Sequence, residues 1–243
     1  MFKPCVIIPV FNHHLNIESI VESILEQELT CILLDDGSDI DCKNTLSNLA
    51  LKHNVKLLRW EKNRGKGAVV CDGIKYAHLD GYTHALQIDA DGQHNTNDIP
   101  KLIKKAKNNP SSVISAWRAY SDMPKSRRNG RRITDVWVWI NTLSLCIKDS
   151  MCGLRVYPLK ETYDLLTQHS VCQRMDFDTD ILVRLYWKGL DVKHIQTHTT
   201  YSNDISSHFK LWNDNLRISK MHTRLFFGML VRIPSLISRQ IQR

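Results

Sequence analysis

Two carboxylates spaced two residues apart are the part of this sequence that most directly suggests chemistry. Asp89 and Asp91 follow the largely apolar run 85–88 and precede Gln93 and His94. In an extended backbone, side chains two residues apart point to the same side, so both carboxylates would face one ligand. Carboxylate and amide oxygens suit a hard divalent cation that keeps open positions for a phosphorylated ligand. Because such acidic pairs also occur in solvated turns, the surrounding elements must decide.

The acidic pair ends the fourth of several predicted strands, which alternate with predicted helices. Strands are predicted at 5–10, 30–34, 55–59, 83–88, 112–117 and 153–157, and helices at 14–27, 41–52, 67–79, 96–108 and 132–147. Regular alternation with short connections predicts an α/β fold with a three-layer, mostly parallel sheet. Ligands bind to such sheets at the carboxyl ends of the strands.

Polar residues follow each of the first four predicted strands, at 9–14, 35–39, 63–67 and 89–94. Gly65 and Gly67 would let a backbone approach closely, and Lys66 brings a cation to the start of a helix, as a phosphate group requires. An ordinary strand–helix turn explains the same residues. Asp36 is a candidate hydrogen-bond acceptor for a ribose or a base, although Asp-Gly is also a common turn.

The net charge of +8 is concentrated in two segments. Residues 101–132 contain ten Lys or Arg and one acid, and residues 204–243 contain seven against two. This distribution favours an anionic partner such as a diphosphate or a phospholipid surface, with a solvated face as the alternative. No nucleic-acid recognition motif accompanies the charge, so a nucleic-acid partner is not expected.

The cysteines and the apolar runs indicate a cytoplasmic protein. Seven scattered cysteines without a C-x-x-C pair are typical of reduced thiols, and zinc is not expected. No secretory segment precedes the first strand, and no run approaches the ~20 apolar residues of a membrane-spanning helix.

The C-terminal part of the chain changes character. A helix predicted at 208–228 is followed by an apolar segment, 229–237, which Arg232 and Pro234 interrupt. We therefore expect a domain at 1–207 and a basic, amphipathic helical extension at 208–243. The extension would pack on the domain, on a second copy of the chain in a homodimer, or in the interface of a membrane.

Six segments, in this order along the chain, resemble the motifs of the family 2 glycosyltransferases, in particular the subgroup similar to dolichyl-phosphate mannose synthase. They are residues 9–12, 34–39, 63–68, 89–93, 149–157 and 177–182. The resemblance implies a nucleotide-sugar-binding domain of the GT-A type, a Mg²⁺ or Mn²⁺ ion, and sugar transfer with inversion at the anomeric carbon.

The resemblance also implies roles for individual residues. The nucleotide sugar would be bound by Pro9, Phe11, Asp36, Lys66, Asp89, Lys210 and by Arg131 or Arg132, which precede a helix predicted to begin at Ile133. The metal would be held by Asp91 and Gln93, with Asp89 shared and His208 as a further contact. Asp180, and next Asp178, would be the general base, unless both are acids that a helix dipole stabilises.

Together these features predict a metal-dependent inverting glycosyltransferase. Its donor would be a nucleotide-diphosphate sugar and its acceptor a polyprenyl phosphate or a glycolipid hydroxyl. As a peripheral protein, it would act at the cytoplasmic face of a membrane. The alternative is a non-catalytic nucleotide-binding or scaffold protein that retains the fold.

Overall fold

The chain folds around one β-sheet of seven strands in the computed structural model, which describes residues 1–118, 125–199 and 211–242. The strands are β1 Pro4–Val10, β2 Thr30–Asp36, β3 Lys56–Trp60, β4 His84–Gln87, β5 Val113–Arg118, β6 Arg155–Pro158 and β7 Val192–Thr197. The helices are α1 Ile17–Leu25, α2 Ile40–His53, α3 Lys66–Leu79, α4 Ile99–Asn108, α5 Lys125–Thr142, α6 Leu159–Gln168, α7 Phe177–Trp187, α8 Leu211–Leu230 and α9 Ile233–Ile241.

The order of the strands gathers six carboxyl ends at one edge of the sheet. The strands lie in the order β3-β2-β1-β4-β6-β5-β7, and only β6 runs antiparallel to its neighbours. Because β6 is reversed, it begins where β4 and β5 end. Its first residue, Arg155, therefore pairs with Gln87 at the end of β4. The predicted mostly parallel α/β sheet is confirmed.

Helices cover both faces of the sheet, which confirms the predicted three layers. One core lies between the sheet and α1, α2 and α4, and the other lies beneath α3, α6, α7 and α8. Helix α1 shows how the sequence specifies this packing. Its buried residues Ile17, Ile20, Val21 and Ile24 recur at the spacing of one helical face, while the residues between them remain polar.

Helix α5 begins seven residues earlier than predicted. Arg131 and Arg132 therefore lie within this helix, and the prediction that they precede it is wrong. Arginine and lysine are good helix formers, and they make up five of the eight residues in 125–132. Because adjacent residues of a helix point in directions about 100° apart, the side chains of the two arginines differ in exposure. Arg131 is partly buried, whereas Arg132 is exposed.

The C-terminal helices pack on the domain through one apolar face. Met221, Leu225, Met229 and Leu236 are buried in the same core as α3 and α7. The boundary predicted at 207/208 lies outside the described residues, so the division into two regions stays a prediction. Within the described ranges, no helix combines the length and the apolarity that crossing a bilayer requires.

Two buried histidines should make the fold sensitive to acid. His222 lies in α8 and contacts Asn141 of α5, and His194 lies in β7. Burial lowers the pKa of each of these histidines to about 4. In the unfolded chain both pKa values return to about 6.5, so between pH 6.5 and 4 the unfolded state binds more protons. The free energy of unfolding should therefore fall as the pH falls through this window.

In His222→Gln, the slope of the unfolding free energy against pH should become shallower by about 1 kcal/mol per pH unit. Urea denaturation at several pH values measures this slope. His169→Gln, which replaces an exposed histidine, is the control. An unchanged slope in the His222 variant would contradict the buried, neutral state of this ring.

Candidate functional site

A lysine between two aspartates lies at the centre of the carboxyl edge of the sheet. Lys66, the first residue of α3, places its Nζ atom 2.8 Å from Asp89 Oδ1 and 2.8 Å from Asp178 Oδ2. Asp89 follows β4, and Asp178 lies in the first turn of α7. The three residues, which we call the Lys66 triad, bring together side chains that are distant in sequence.

Asp89 is held by a histidine and by the space that a glycine leaves. His94 Nε2 lies 3.6 Å from Asp89 Oδ2, and the His94 side chain is almost fully buried. A Cβ atom on Gly153 would lie 2.4 Å from Asp89 Oδ2, so residue 153 must be glycine for this carboxylate to keep its position. The structure thus places His94, which follows the acidic pair in sequence, beside Asp89.

Asp178 is also tied to a buried polar network on β4 and β6. Its Oδ1 accepts a hydrogen bond from Gln87 Nε2 at 3.0 Å, and Gln87 Oε1 accepts one from the Tyr157 hydroxyl at 3.2 Å. Arg155, fully buried, donates to the Asp178 backbone oxygen at 2.7 Å and to Tyr157 at 3.3 Å. The antiparallel register of β6 brings these side chains together. Arg155 and Tyr157 belong to the motif segment 149–157, whereas no motif contains Gln87.

The charges of this buried group compensate one another. Burial alone would lower the pKa of Lys66, but the carboxylates of Asp178 and Asp89 outweigh it and raise that pKa. Burial would raise the pKa of Asp89, yet Lys66 and His94 hold it well below its usual range. Lys66 and Arg155 thus carry two positive charges against the two carboxylates, and the group is neutral without a ligand.

Asp91 differs from its neighbours because, among the described residues, it forms no ion pair. It is half-buried, and its Oδ1 accepts a hydrogen bond from the backbone N–H of Gln93 at 3.0 Å. Gly92 between them has φ 73° and allows this tight turn. A carboxylate and an amide are therefore presented together at the edge, next to Asp89. This donor set fits a hard divalent cation, as the sequence predicts.

The glycine-rich segment 63–67 serves the chain itself. Cβ atoms on Gly65 and Gly67 would lie 2.5 Å from Gln173 O and from Phe177 Cβ, respectively. The glycines thus make room for the segment that leads into α7, and the predicted close approach of a ligand to this backbone stays a prediction. Asp36 accepts hydrogen bonds from the backbone N–H groups of Arg64 and Gly65, at 2.7 and 2.9 Å. Its carboxylate therefore fixes the loop that carries Lys66.

The carboxylates of the two candidate general bases, Asp178 and Asp180, lie in different environments. Asp178 belongs to the Lys66 triad, whereas Asp180 is fully buried on the other side of α7. Asp180 Oδ1 accepts a hydrogen bond from Arg184 at 2.8 Å, and its Oδ2 accepts bonds from the Cys172 backbone at 2.8 Å and from Arg224 at 2.9 Å. Both carboxylate oxygens are thus engaged by the protein. The role of general base stays a prediction for either residue.

The remaining predicted residues fall at the same edge or outside the described chain. Pro9 and Phe11 are partly buried at the end of β1. Arg131 Nη1 lies 3.7 Å from Asp149 Oδ2, which also pairs with Arg118 Nε at 2.9 Å. His208 and Lys210 lie outside the described residues.

Arg118, at the end of β5, and Arg131, in α5, meet at the carboxylate of Asp149. Burial would raise the pKa of Asp149, but Arg118 and Arg131 lower it. Both cations thus contact this one carboxylate at the carboxyl edge of the sheet. Arg118 was not among the predicted site residues, although its place at the end of a predicted strand was a sufficient signal.

Comparison with known proteins gives this geometry a context. The pattern of the family described as "Glycosyl transferase family 2" matches residues 5–178. A dolichyl-phosphate beta-glucosyltransferase of Dictyostelium discoideum is 24% identical over 251 residues, which cover 94% of this chain and 75% of the relative. A UDP-N-acetylglucosamine–dolichyl-phosphate N-acetylglucosaminyltransferase of Methanococcus voltae is 24% identical over 81% of this chain and 85% of its own length.

Solved structures share the fold. Glucosyl-3-phosphoglycerate synthase from Mycobacterium tuberculosis, solved with Mn²⁺ and uridine-diphosphate-glucose, superposes with a TM-score of 0.65 and 16% identity. The match covers 95% of this chain and 79% of the synthase. At this identity the similarity concerns the fold alone, and it confirms the expected GT-A type.

Gly153→Ala should destabilise the fold by about 1–3 kcal/mol, because the added methyl group must displace the Asp89 carboxylate. Urea denaturation measures the change, and Gly130→Ala, where the methyl group meets nothing within 4 Å, is the control. The loss should shrink in an Asp89→Ala background, which removes the clash. An equal loss in both backgrounds would show that Asp89 is not the group displaced.

Proposed function

Because the chain belongs to glycosyl transferase family 2, we propose that it transfers a sugar from a nucleotide diphosphate to a lipid-linked phosphate at a membrane surface. Asp91 carries this proposal. It is a half-buried carboxylate without an ion pair in the described chain, and it lies two residues after Asp89, in a group that Lys66 and Arg155 already make neutral. A donor diphosphate would bring negative charge that the triad does not balance.

Asp91 and Gln93 would hold a Mg²⁺ or Mn²⁺ ion, with Asp89 adjacent. When bound, the ion supplies positive charge against the departing nucleotide diphosphate. The nucleoside would lie over Pro9 and Phe11, and Asp36 would hold the loop of Arg64 and Gly65 next to it. The names of both related transferases given above contain dolichyl-phosphate, which supports a lipid phosphate as the acceptor.

The pairing of the acids at this edge favours a phosphate acceptor over a hydroxyl. A hydroxyl requires a general base, whereas a phosphate oxygen is already an anion. Asp89 and Asp178 share the Lys66 ammonium, and Asp180 pairs with two arginines. None of these three carboxylates is therefore available without breaking an ion pair.

The transfer would be an in-line displacement with inversion. The acceptor phosphate oxygen forms a bond to the anomeric carbon while the bond from that carbon to the donor diphosphate breaks on the opposite face. The electron pair of the broken bond leaves with the nucleotide diphosphate. Arg118 and Arg131, which meet at Asp149 at the same edge, would orient the acceptor phosphate.

Asp91→Asn should reduce sugar transfer by about a hundredfold or more, because the variant loses the charge that binds the ion. Radiolabelled transfer to polyprenyl phosphate measures the rate. Thermal unfolding with Mn²⁺ and a nucleotide diphosphate measures binding, which EDTA should abolish in the wild type and which the variant should lack. Asp41→Asn, at an exposed acid of α2, is the matched control. Undiminished transfer by Asp91→Asn would remove the metal role, and no transfer by the wild type with any donor would favour a scaffold.

An apolar surface on α5 and α8 supports membrane docking. On α5, Ile133, Val136, Trp137 and Ile140 are exposed at helical spacing. On α8, Trp212, Leu216 and Phe227 are exposed on one face, with Trp212 at 90%. A ring contact between Trp137 and Phe226 joins the two helices, and Phe226 also contacts Phe227 within α8. We call these seven exposed residues the apolar surface.

Charge beside the apolar surface suits a lipid headgroup. Five of the first eight residues of α5 are Lys or Arg, and they precede its exposed apolar residues. A basic turn followed by an exposed apolar stripe is the pattern of a helix that lies in a membrane interface. Because Arg131 belongs to this helix and reaches Asp149, the same element would join the membrane to the site.

The double variant Trp212→Asp, Leu216→Asp should lose binding to anionic vesicles by about tenfold or more, since each large apolar side chain contributes roughly 1.5–3 kcal/mol when buried. Co-sedimentation with phosphatidylserine vesicles at low salt measures the bound fraction. Leu51→Asp, Leu79→Asp, at exposed leucines of α2 and α3, is the control. A wild-type protein that stays in the supernatant would contradict membrane docking.

A further inference from the structure

We infer that Asp180 and Arg224 form a positioning pair, which holds Lys66 in place from outside the site. The inference rests on the proposed function in one respect, because sugar transfer is one of its two measurements. It gives Asp180 a role other than general base, and it gives α8 a role in the geometry of the site.

The pair joins the C-terminal helix to the first turn of α7. Arg224 Nη2 of α8 lies 2.9 Å from Asp180 Oδ2, and Arg184 Nε approaches the other carboxylate oxygen at 2.8 Å. Burial would lower the pKa of Arg224, but Asp180 outweighs it and raises that pKa. Asp180 is fully buried, so loss of Arg224 would leave a buried carboxylate with weaker compensation.

One connection runs through the backbone to the loop that carries Lys66. Asp180 Oδ2 accepts a hydrogen bond from the Cys172 N–H at 2.8 Å. The next residue, Gln173, accepts a hydrogen bond from the Ala68 N–H at 3.0 Å. Gly65 and Gly67 pack against this same segment so closely that neither tolerates a Cβ atom. The position of residues 172–173 therefore determines the position of residues 65–68.

A second connection runs through α7. Asp178 and Asp180 lie two residues apart in the first turn, so their side chains leave the helix in nearly opposite directions. Asp178 contacts Lys66, and Asp180 contacts Arg224. A shift or rotation of this turn would move both contacts together. Lys66 is thus held from two sides, and both depend on Asp180.

This arrangement explains why a fully buried acid with two arginine partners lies beside the site without facing it. The ion pair between Arg224 and Asp180 connects α8, which bears part of the apolar surface, to the Lys66 triad. The position of α8 on the domain would thereby influence the geometry at Asp89.

The test compares Arg224→Gln with Arg217→Gln. Both arginines lie on α8, are half-exposed and pair with an aspartate, but Arg217 pairs with Asp214 of its own helix. Each variant removes one charge from α8, so any common effect reports charge alone. Arg224→Gln should lower kcat by about tenfold or more, Arg217→Gln should not, and Arg224→Lys should recover part of the loss.

A double-mutant cycle and a pH profile separate positioning from base catalysis. Arg224→Gln, Asp180→Asn should transfer no more slowly than Asp180→Asn alone, because both substitutions break the same contact. The pH profile of kcat should keep its shape in Arg224→Gln. Additive losses, or an acidic limb that moves with the Arg224 substitution, would overturn the inference, the latter in favour of Asp180 as the base.

Hydrogen exchange provides a measurement that does not depend on transfer. In Arg224→Gln, amides of residues 65–70 and 172–180 should exchange about tenfold faster than in the wild type, while those of α1 and α2 remain unchanged. Arg217→Gln should leave all of these rates unchanged. Equal exchange in the two variants would reject the positioning pair even if the protein proves to have no transferase activity.

Discussion

The site depends on one buried ammonium group that satisfies two carboxylates at once. Without Lys66, Asp89 and Asp178 would face each other across the edge of the sheet as unpaired, largely buried charges, which is costly. With Lys66, each carboxylate has a fixed direction, and Asp91 is left as the acid that can respond to a ligand. The lysine therefore links α3, β4 and α7 electrostatically before any ligand is present.

The strands and the edge at which they place polar residues were predictable because short-range patterns determine them. Each of the six strands predicted before residue 160 has its ends within two residues of the observed ones. Helix α6 was missed, although Leu159, Thr162, Leu165 and Leu166 are buried at helical spacing after a proline. The reversal of β6 leaves no local trace, because the residue types of a four-residue strand do not indicate whether it pairs parallel or antiparallel.

The site was predictable only in part, because only some of its contacts follow from short-range patterns. Because the carboxyl ends of the parallel strands lie at one edge, Asp36, Lys66 and Asp89 were expected close together. In the structure Asp36 binds the loop that carries Lys66, and Lys66 contacts Asp89. Gln87, Tyr157 and Arg155 meet through the register of β6, which no local pattern specifies. Helix geometry alone would have separated Asp178 from Asp180, since residues two apart on a helix point about 200° apart. The sequence suggested that the glycines of 63–67 allow a ligand to approach. In the structure they pack against a segment that lies more than 100 residues away in sequence, which no local pattern indicates.

The contact between Lys66 and Asp178 spans 112 residues of chain. Contacts between such distant residues form late in folding, because a large loop must close before they gain energy. On the ribosome, a chain that has emerged only as far as β5 already contains Lys66 and Asp89, but it lacks the acid that completes the pair. An early-folded N-terminal half would thus contain Lys66, Asp89 and Asp91 without their final geometry. The site would reach that geometry in one step, when α7 docks.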